Sequence, residues 1–250
     1  MDPITQAFIQ GAAGAAGGGT FVDDVFSTYL YKGNATSRSI ANGINLEEGG
    51  LVWFKTRNQN WNHAFIDSGT GTSKFLQTPP SSGTVNQTTA LTSFNNNGFT
   101  LGTDSNYGIT NSSNGEYTSW TFRKAPGFFD VVNFQQSGAD STTTPQVIPH
   151  NLGAVPGMII LKKTSGDRDW FVYHRDLGKD YWIKFNQSGT ATNENNSWGT
   201  TTPDANNFGY MSGYIGGGGG SAQFVGYVFA GGASTAATAR SVAFDGDTDE

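Results

Sequence analysis

The chain has 250 residues, a formal net charge of −6 and only 14% charged residues, and it contains no cysteine. Its few Lys and Arg residues are scattered, which excludes the grouped positive charge that nucleic-acid binding needs. Without cysteine, disulfides and thiolate metal sites are excluded as well. No apolar run approaches the roughly 20 residues that span a bilayer, so no membrane insertion is expected.

The remaining composition favours strands over helices. The chain has 35 glycines and 13% aromatic residues, and Asn, Ser and Thr fill many polar positions. Aromatic and branched side chains suit a pleated surface, and Gly and Asn suit the turns between strands. The sequence therefore predicts an all-β protein.

The first twenty residues differ from the rest. Asp2 followed by Pro3 resembles a helix N-cap with proline at the first position. The stretch "GAAGAAGGG" then reads as a flexible tether. A short helix is unstable alone in water, so residues 1–20 are predicted to form a helix that docks on a partner. The apolar side chains expected to make that contact are Ile4, Phe8 and Ile9.

An internal repeat organises residues 21–232. The run "GLVWFKTR" from Gly50 and the run "GMIILKKT" from Gly157 are offset by 107 residues. The same offset places Trp120 over Tyr227 near the end of each copy. A repeated offset at both ends of a unit indicates two copies of one fold. Both apolar runs are short enough to be central strands with both faces covered.

The turn Ala125-Pro126-Gly127 is predicted to be the seam between the two copies. Each copy has several short runs of strand-like residues separated by Gly, Asn, Pro and Asp, which is typical of a β-sandwich with a jelly-roll-like arrangement. The predicted organisation is residues 1–20 as the docking segment, 21–127 and 128–232 as tandem sandwiches, and 233–250 as a separate segment after them.

The motifs that could carry chemistry are incomplete. "HRDL" at residues 174–177 resembles the start of a kinase catalytic loop but lacks the Asn that would hold magnesium. Its histidine, His174, is expected to end a strand at the surface. "DGDTDE" lacks the glycine and distal Glu of a calcium loop. We therefore expect no enzyme activity, no metal and no cofactor.

One catalytic alternative stays open at this stage. Glycosidic cleavage needs two carboxylates that face each other, and several acidic residues could converge in the fold. These are Asp67, Asp104, Glu116, Asp167, Asp169 and Asp176.

Aromatic residues in polar loops suggest a different function, which is contact with glycans. Stacking of aromatic rings on sugars is one interpretation, and pinning of loops on a sandwich is the other. The residues concerned are Trp61, Tyr107, Trp198 and Tyr214.

Several longer motifs resemble structural proteins of marine tailed bacteriophages, cyanophages included. They are "GGLVWFKTR", "LTSFNNNGFTLG", "SWTFRKAPGFFDVV", "HNLGAVPGMIILKK" and "DWFVYHRDLG". The resemblance covers almost the whole chain, and in such proteins paired units of this kind occur in tail fibres and related appendages.

The resemblance implies a virion protein, assembled in the host cytoplasm and carried outside on the particle. It implies anchoring through residues 1–20 to a tail nozzle, baseplate or capsid, and a role in host attachment through surface glycans. It further implies that residues 233–250 form a linker or the start of a further lectin-like domain. It also implies a homo-oligomer, with a trimer as the form typical of fibres. The alternatives are a capsid decoration protein and a stand-alone carbohydrate-binding module.

Overall fold

The computed structural model describes residues 21–104 and 106–232, and strands dominate both ranges. The predicted all-β sandwich class is confirmed. The predicted N-terminal helix, its contact residues Ile4, Phe8 and Ile9, the tether and the segment 233–250 lie outside the described residues.

Residues 21–127, called unit 1, contain one short helix and nine strands. These are α1 (Val22–Val25), β1 (Phe26–Lys32), β2 (Arg38–Ala41), β3 (Gly50–Thr56), β4 (His63–Asp67), β5 (Lys74–Thr78), β6 (Val85–Asn86), β7 (Leu91–Asn95), β8 (Gly98–Leu101) and β9 (Glu116–Arg123). They form a six-stranded sheet in the order β1-β9-β3-β4-β5-β6 and a three-stranded sheet in the order β2-β8-β7.

Residues 128–232, called unit 2, contain eight strands and one 3₁₀ turn at Gly219–Ser221. The strands are β10 (Phe129–Gln135), β11 (Gln146–Pro149), β12 (Pro156–Lys163), β13 (Phe171–His174), β14 (Tyr181–Lys184), β15 (Thr192–Asn193), β16 (Asn207–Tyr210) and β17 (Gln223–Ala230). A six-stranded sheet has the order β10-β17-β12-β13-β14-β15, and β11 pairs with β16.

The internal repeat is visible in the strand pairing. In unit 1, Trp53 on β3 pairs with Trp120 on β9. In unit 2, their counterparts Ile160 on β12 and Tyr227 on β17 pair in the same register. All the ladders in both large sheets are antiparallel. The two copies therefore share strand order as well as sequence pattern.

Each unit has its own hydrophobic core between its large and small sheets. In unit 1 the core includes Phe54, Phe75 and Phe99. In unit 2 it includes Tyr173, Trp198 and Phe208. Burial of side chains of this size is the main stabilising contribution within each sandwich.

A third hydrophobic cluster joins the units, because the outer faces of the two six-stranded sheets pack on each other. Its buried members are Leu51, Phe65, Leu76, Phe129, Val131, Ile160, Trp170, Val172, Val225 and Tyr227. The apolar runs on β3 and β12 therefore have both faces covered, as their continuous hydrophobicity predicts. One face contacts the unit's own small sheet, and the other contacts the second unit.

The strands of the two large sheets cross one another. Phe129 at the start of β10 packs against Phe122 on β9, with 5.5 Å between ring centroids. Further along β10, Asn133 lies against Gly69, just beyond the end of β4. Since β9 and β4 flank β3 in one sheet, β10 runs across the strands of unit 1. The seam between the units lies at the corner of this packing, where Phe129 meets Phe122.

A buried lysine adds polar contacts across this interface. The Lys162 side chain is fully buried. Its Nζ donates to the backbone carbonyls of Ser81 (2.8 Å) in unit 1 and of Arg168 (2.8 Å) and Lys163 (3.0 Å) in unit 2. These acceptors use all three ammonium donors, and the ammonium also lies over the Trp170 ring, 5.8 Å from its centroid.

Burial lowers the pKa of Lys162 from its ordinary value of 10.5 to about 8. Between these values the folded protein binds fewer protons than the unfolded chain, so its stability rises with pH. Over pH 7.5 to about 9.5, which covers part of this interval, we expect a gain of about 2 kcal/mol in the free energy of unfolding, since one pKa unit corresponds to about 1.4 kcal/mol. Urea unfolding over this pH range, in which tyrosine with its pKa of about 10 is still largely protonated, measures the gain.

The neighbouring Lys163 is part-exposed, which makes Lys163→Met a matched control for Lys162→Met. Lys162→Met should abolish the rise with pH, whereas Lys163→Met should keep it. If the free energy of unfolding rises equally with pH in both variants, Lys162 is not the group responsible for the rise.

The two ends of the described chain meet at the corner. Phe26, where β1 begins, lies 4.9 Å from Phe122 between ring centroids, and Phe122 lies 5.5 Å from Phe229 near the end of β17. The backbone N–H of Ala230 donates to Phe128 at 2.9 Å. The first strand therefore begins, and the last strand ends, at the same corner of the double sandwich, here defined by Phe26, Phe122 and Phe229.

Candidate functional site

A cleft of about 350 Å³ opens at the margin of the interface between the units. Unit 1 contributes one wall and unit 2 the other. The lining residues are Trp53, His63, Thr78 and Pro79 of unit 1 and residues 185–188 of unit 2. A cleft of this size, with aromatic and polar groups together, is typical of small-ligand sites.

Trp53 forms the aromatic centre of the cleft. It lies on β3 with its side chain on the face that unit 2 covers, but at the margin, so it is part-exposed. Its ring stacks on Phe65 at 4.6 Å. Phe185 of unit 2 meets it edge-on at 5.6 Å, and Phe185 keeps 37% of its surface exposed. The two rings are thus fixed by their neighbours and accessible from the cleft.

The hydrogen bond between Trp53 and His63 sets the state of the imidazole. The Trp53 Nε1–H donates to His63 Nδ1 at 2.9 Å. Burial, with a smaller contribution from the Lys55 charge, lowers the pKa of His63. The neutral ring accepts at Nδ1 and so carries its proton on Nε2. Among the described residues no acceptor binds that Nε2–H, which leaves it as a donor beside the cleft.

The wall from unit 2 is held by a hydrogen-bond network. Asn186 Oδ1 accepts from the backbone N–H of Trp170 at 3.0 Å. The side-chain amides of Asn186 and Gln187 both donate to Asp169 Oδ1 at 3.0 Å. Within the described residues, Gln187 Oε1 and the Ser188 hydroxyl make no hydrogen bond, and both side chains are in exposed residues.

The carboxylates considered for glycosidic cleavage lie elsewhere than in the cleft. No Asp or Glu is among its lining residues. Of the acidic residues considered for glycosidic cleavage, Asp67 and Asp104 are buried and accept backbone N–H groups of their own loops. Asp169 forms an ion pair with Lys184 at 2.8 Å. In the part of the chain that the structure describes, no three His, Asp or Glu side chains group as metal ligands.

The aromatic residues predicted to contact glycans do not form one site. For Trp198 the prediction of glycan contact is wrong, because its side chain is fully buried in the core of unit 2. Its Nε1–H donates to the Tyr181 carbonyl at 2.9 Å. Tyr214 is part-buried against the same core. The expectation for Tyr214 stays a prediction.

Trp61 and Tyr107 lie near each other in unit 1. The Trp61 ring packs over Gly108, beside Tyr107, which is 46% exposed. Their contact with glycans also stays a prediction. The sequence analysis did not single out Trp53 or Phe185 as site residues. For Trp53 the sequence held one clue. The first copy of the repeat has tryptophan at 53 where the second has Ile160, and a position buried in both copies does not require that change.

Comparisons with known proteins identify a family but no activity. A protein-family model described as a domain of unknown function (DUF7483) matches residues 22–238. No curated protein and no solved structure matches the chain. Among the described residues, no helix has the length and apolar character needed to cross a membrane.

Proposed function

Because the chain belongs to the DUF7483 family, whose description names no activity, we propose a function from its own geometry and motifs. The protein is a structural component of a phage virion. It is a tail fibre or related appendage that is anchored to the particle at the corner and serves host attachment.

The observation that carries this proposal is the position of the first and last described strands. The start of β1 and the end of β17 lie together at the corner defined by Phe26, Phe122 and Phe229. An anchoring segment at residues 1–20 would therefore hold the double sandwich at one end. The loops far from the corner would then face away from the particle, which is the arrangement an appendage needs.

The interface between the units supports the same role. A cluster of large buried side chains joins the two large sheets, and the Tyr227 hydroxyl donates across it to Asp67 Oδ2 at 2.9 Å. Close-packed interiors of this kind resist relative motion of the parts. Two sandwiches joined in this way keep a fixed spacing, which is useful in a particle and needs no active site.

The virion setting itself comes from the resemblance of the motifs to phage structural proteins. A capsid decoration protein would use the same corner in the same way. The stand-alone carbohydrate-binding module is the second candidate, and the cleft at Trp53 and Phe185 is the observation that favours it.

Deletion of residues 1–20 tests the anchoring role. We expect the full chain to co-sediment with particles that lack it, and the deletion to reduce this binding at least about tenfold, since a docked apolar helix face supplies several kcal/mol. Its fold should persist, because the described core starts after residue 20.

A triple Ile4→Ala, Phe8→Ala, Ile9→Ala variant should reproduce the loss. Phe185→Ala, far from the deleted segment in sequence and outside the corner, is the matched control and should bind particles normally. Equal sedimentation of the full chain and the deletion variant would contradict the proposal, as would no sedimentation of either. Cryo-electron microscopy of decorated particles would then distinguish tail from capsid.

A further inference from the structure

We propose that the cleft between the units binds a neutral sugar ring, with Trp53 and Phe185 as its apolar platform. The inference deepens the attachment role and rests on it only for the source of the sugar, a glycan on the host surface. The binding itself is a property of the isolated protein.

The apolar part of the cleft matches the C–H face of a pyranose. Trp53, Phe185 and Pro79 supply two aromatic rings and one aliphatic ring from both units. Aromatic rings contribute large contact areas with little loss of side-chain entropy, and their faces attract weakly positive C–H groups. The volume of about 350 Å³ accommodates a small ligand.

The polar part of the cleft offers both kinds of hydrogen-bonding group. His63 Nε2–H is a donor, Gln187 Oε1 is an acceptor, and the Ser188 hydroxyl can act as either. None of these groups is bonded within the described residues. A sugar hydroxyl is both donor and acceptor, so a ring with several hydroxyls can satisfy this mixed set.

The charge of the lining selects a neutral ligand. No Asp, Glu, Lys or Arg lines the cleft. Beside the wall from unit 2, Lys184 and Asp169 form an ion pair with each other at 2.8 Å. Near His63, the Lys55 ammonium donates to the Trp61 carbonyl at 2.7 Å. Recognition of carboxylate or phosphate groups depends on charge-assisted hydrogen bonds, and the cleft offers none. A neutral sugar therefore fits better than a uronic acid or a sugar phosphate.

The site is also formed before any ligand binds. Trp53 is held by Phe65 and His63, and residues 185–188 are held through Asn186 and Asp169. A preformed site avoids the cost of ordering side chains on binding. Because its walls belong to different units, the site exists only when the two sandwiches are packed together.

Titration of the full chain with single sugars tests the proposal. The probes are D-glucose, D-galactose, D-mannose and N-acetyl-D-glucosamine, each up to about 100 mM because single sugars bind weakly, and D-glucuronate as the charged comparison. The readout is the NMR shift of the Trp53 indole N–H. We expect a saturable shift with at least one neutral sugar and a weaker one with glucuronate.

Phe185→Ala should weaken that affinity about tenfold, the effect of one lost stacking contact, and Gln187→Ala should weaken it severalfold. Tyr107→Ala removes a similarly exposed ring elsewhere in unit 1 and should change nothing. No shift with any neutral sugar, or an equal loss in Tyr107→Ala, would overturn the proposal. If the chain binds a sugar but does not co-sediment with particles, only the virion role is refuted. If it co-sediments with particles but binds no sugar, only this site is refuted.

Discussion

Replacing Trp170 with alanine is expected to lower the free energy of unfolding by about 3–5 kcal/mol, the range for deleting a buried tryptophan side chain. Trp170 is fully buried in the cluster that joins the units, 4.8 Å from Phe65 between ring centroids. Its Nε1–H donates to the carbonyls of Gln77 (3.1 Å) and Pro80 (3.2 Å) in unit 1. One side chain of unit 2 thus fills space and satisfies backbone acceptors in unit 1.

The loss of Trp170 should also separate the unfolding of the two units. In the unmodified protein, unfolding followed by fluorescence and by circular dichroism should coincide, since the interface couples both units. Trp170→Ala weakens that coupling, so the two curves should diverge. Trp170→Phe retains most of the ring but no N–H donor, and we expect it to lose only about 1–2 kcal/mol.

Trp198→Ala is the matched control, because it creates a similar cavity inside the core of unit 2 and leaves the interface intact. It should cost a comparable free energy of unfolding while the two curves still coincide. Divergence in Trp198→Ala but not in Trp170→Ala would contradict the role given to the interface.

The internal repeat is detectable in the sequence, so the strand order of one copy predicts that of the other. Hydrophobic pattern and turn residues are local signals, and they place β3 and β12 at equivalent positions of the two copies. The pattern also indicated that both faces of these strands are covered. What covers the second face depends on how the copies pack, and no local signal encodes that.

Lys55 and Lys162 show where the repeat stops being informative. They occupy equivalent positions, yet Lys55 is part-exposed with its Nζ 2.7 Å from the Trp61 carbonyl, and Lys162 is fully buried. The difference arises from the loop around Ser81, which reaches from unit 1 onto unit 2. A contact between residues so distant in sequence cannot be deduced from either segment alone.

The two misjudged tryptophans have the same physical cause. Trp198 stands in a polar stretch but is buried, because its loop folds back over the core and packs against Tyr173, 5.7 Å away between ring centroids. Trp53 stands in an apolar run but is part-exposed, because it lies where the interface ends. Local polarity predicts the average exposure of a segment, whereas tertiary packing decides that of each side chain.

Asp67 is the second residue whose replacement should have a large effect. It is fully buried at the end of β4. Its Oδ1 accepts the N–H groups of Gly69 (2.9 Å) and Thr70 (2.7 Å), and its Oδ2 accepts the hydroxyls of Thr70 (2.9 Å) and Tyr227 (2.9 Å). One carboxyl group thus orders the turn after β4 and binds the second unit.

Burial raises the pKa of Asp67, although its hydrogen bonds act in the opposite direction. The folded protein therefore keeps the proton to a higher pH than the unfolded chain does. The contribution of this proton to the free energy of unfolding is fully present below the ordinary carboxyl pKa of about 4. It is lost as pH rises through the pKa that Asp67 has in the folded protein. A neutral side chain of the same shape would avoid this loss.

Asp67→Ala is expected to lower the free energy of unfolding by about 3–4 kcal/mol, since it leaves buried N–H and hydroxyl donors without an acceptor. Asp67→Asn should stay within about 1 kcal/mol at neutral pH, because its oxygen can accept both N–H groups and both hydroxyls can accept from its amide. As pH rises above about 4, the unmodified protein should lose stability relative to Asp67→Asn. Urea unfolding at pH 3.5 to 7 measures both effects.

The repeat supplies a matched control for this experiment. His174 is the counterpart of Asp67, paired with Met158 where Asp67 pairs with Leu51. Its side chain is 45% exposed, so His174→Ala should change stability by no more than about 0.5 kcal/mol. A loss in Asp67→Asn as large as that in Asp67→Ala would mean that the negative charge, rather than the hydrogen-bond network, stabilises the interface. An unchanged Asp67→Ala would mean that neither does, and that the hydrophobic cluster alone holds the two units together.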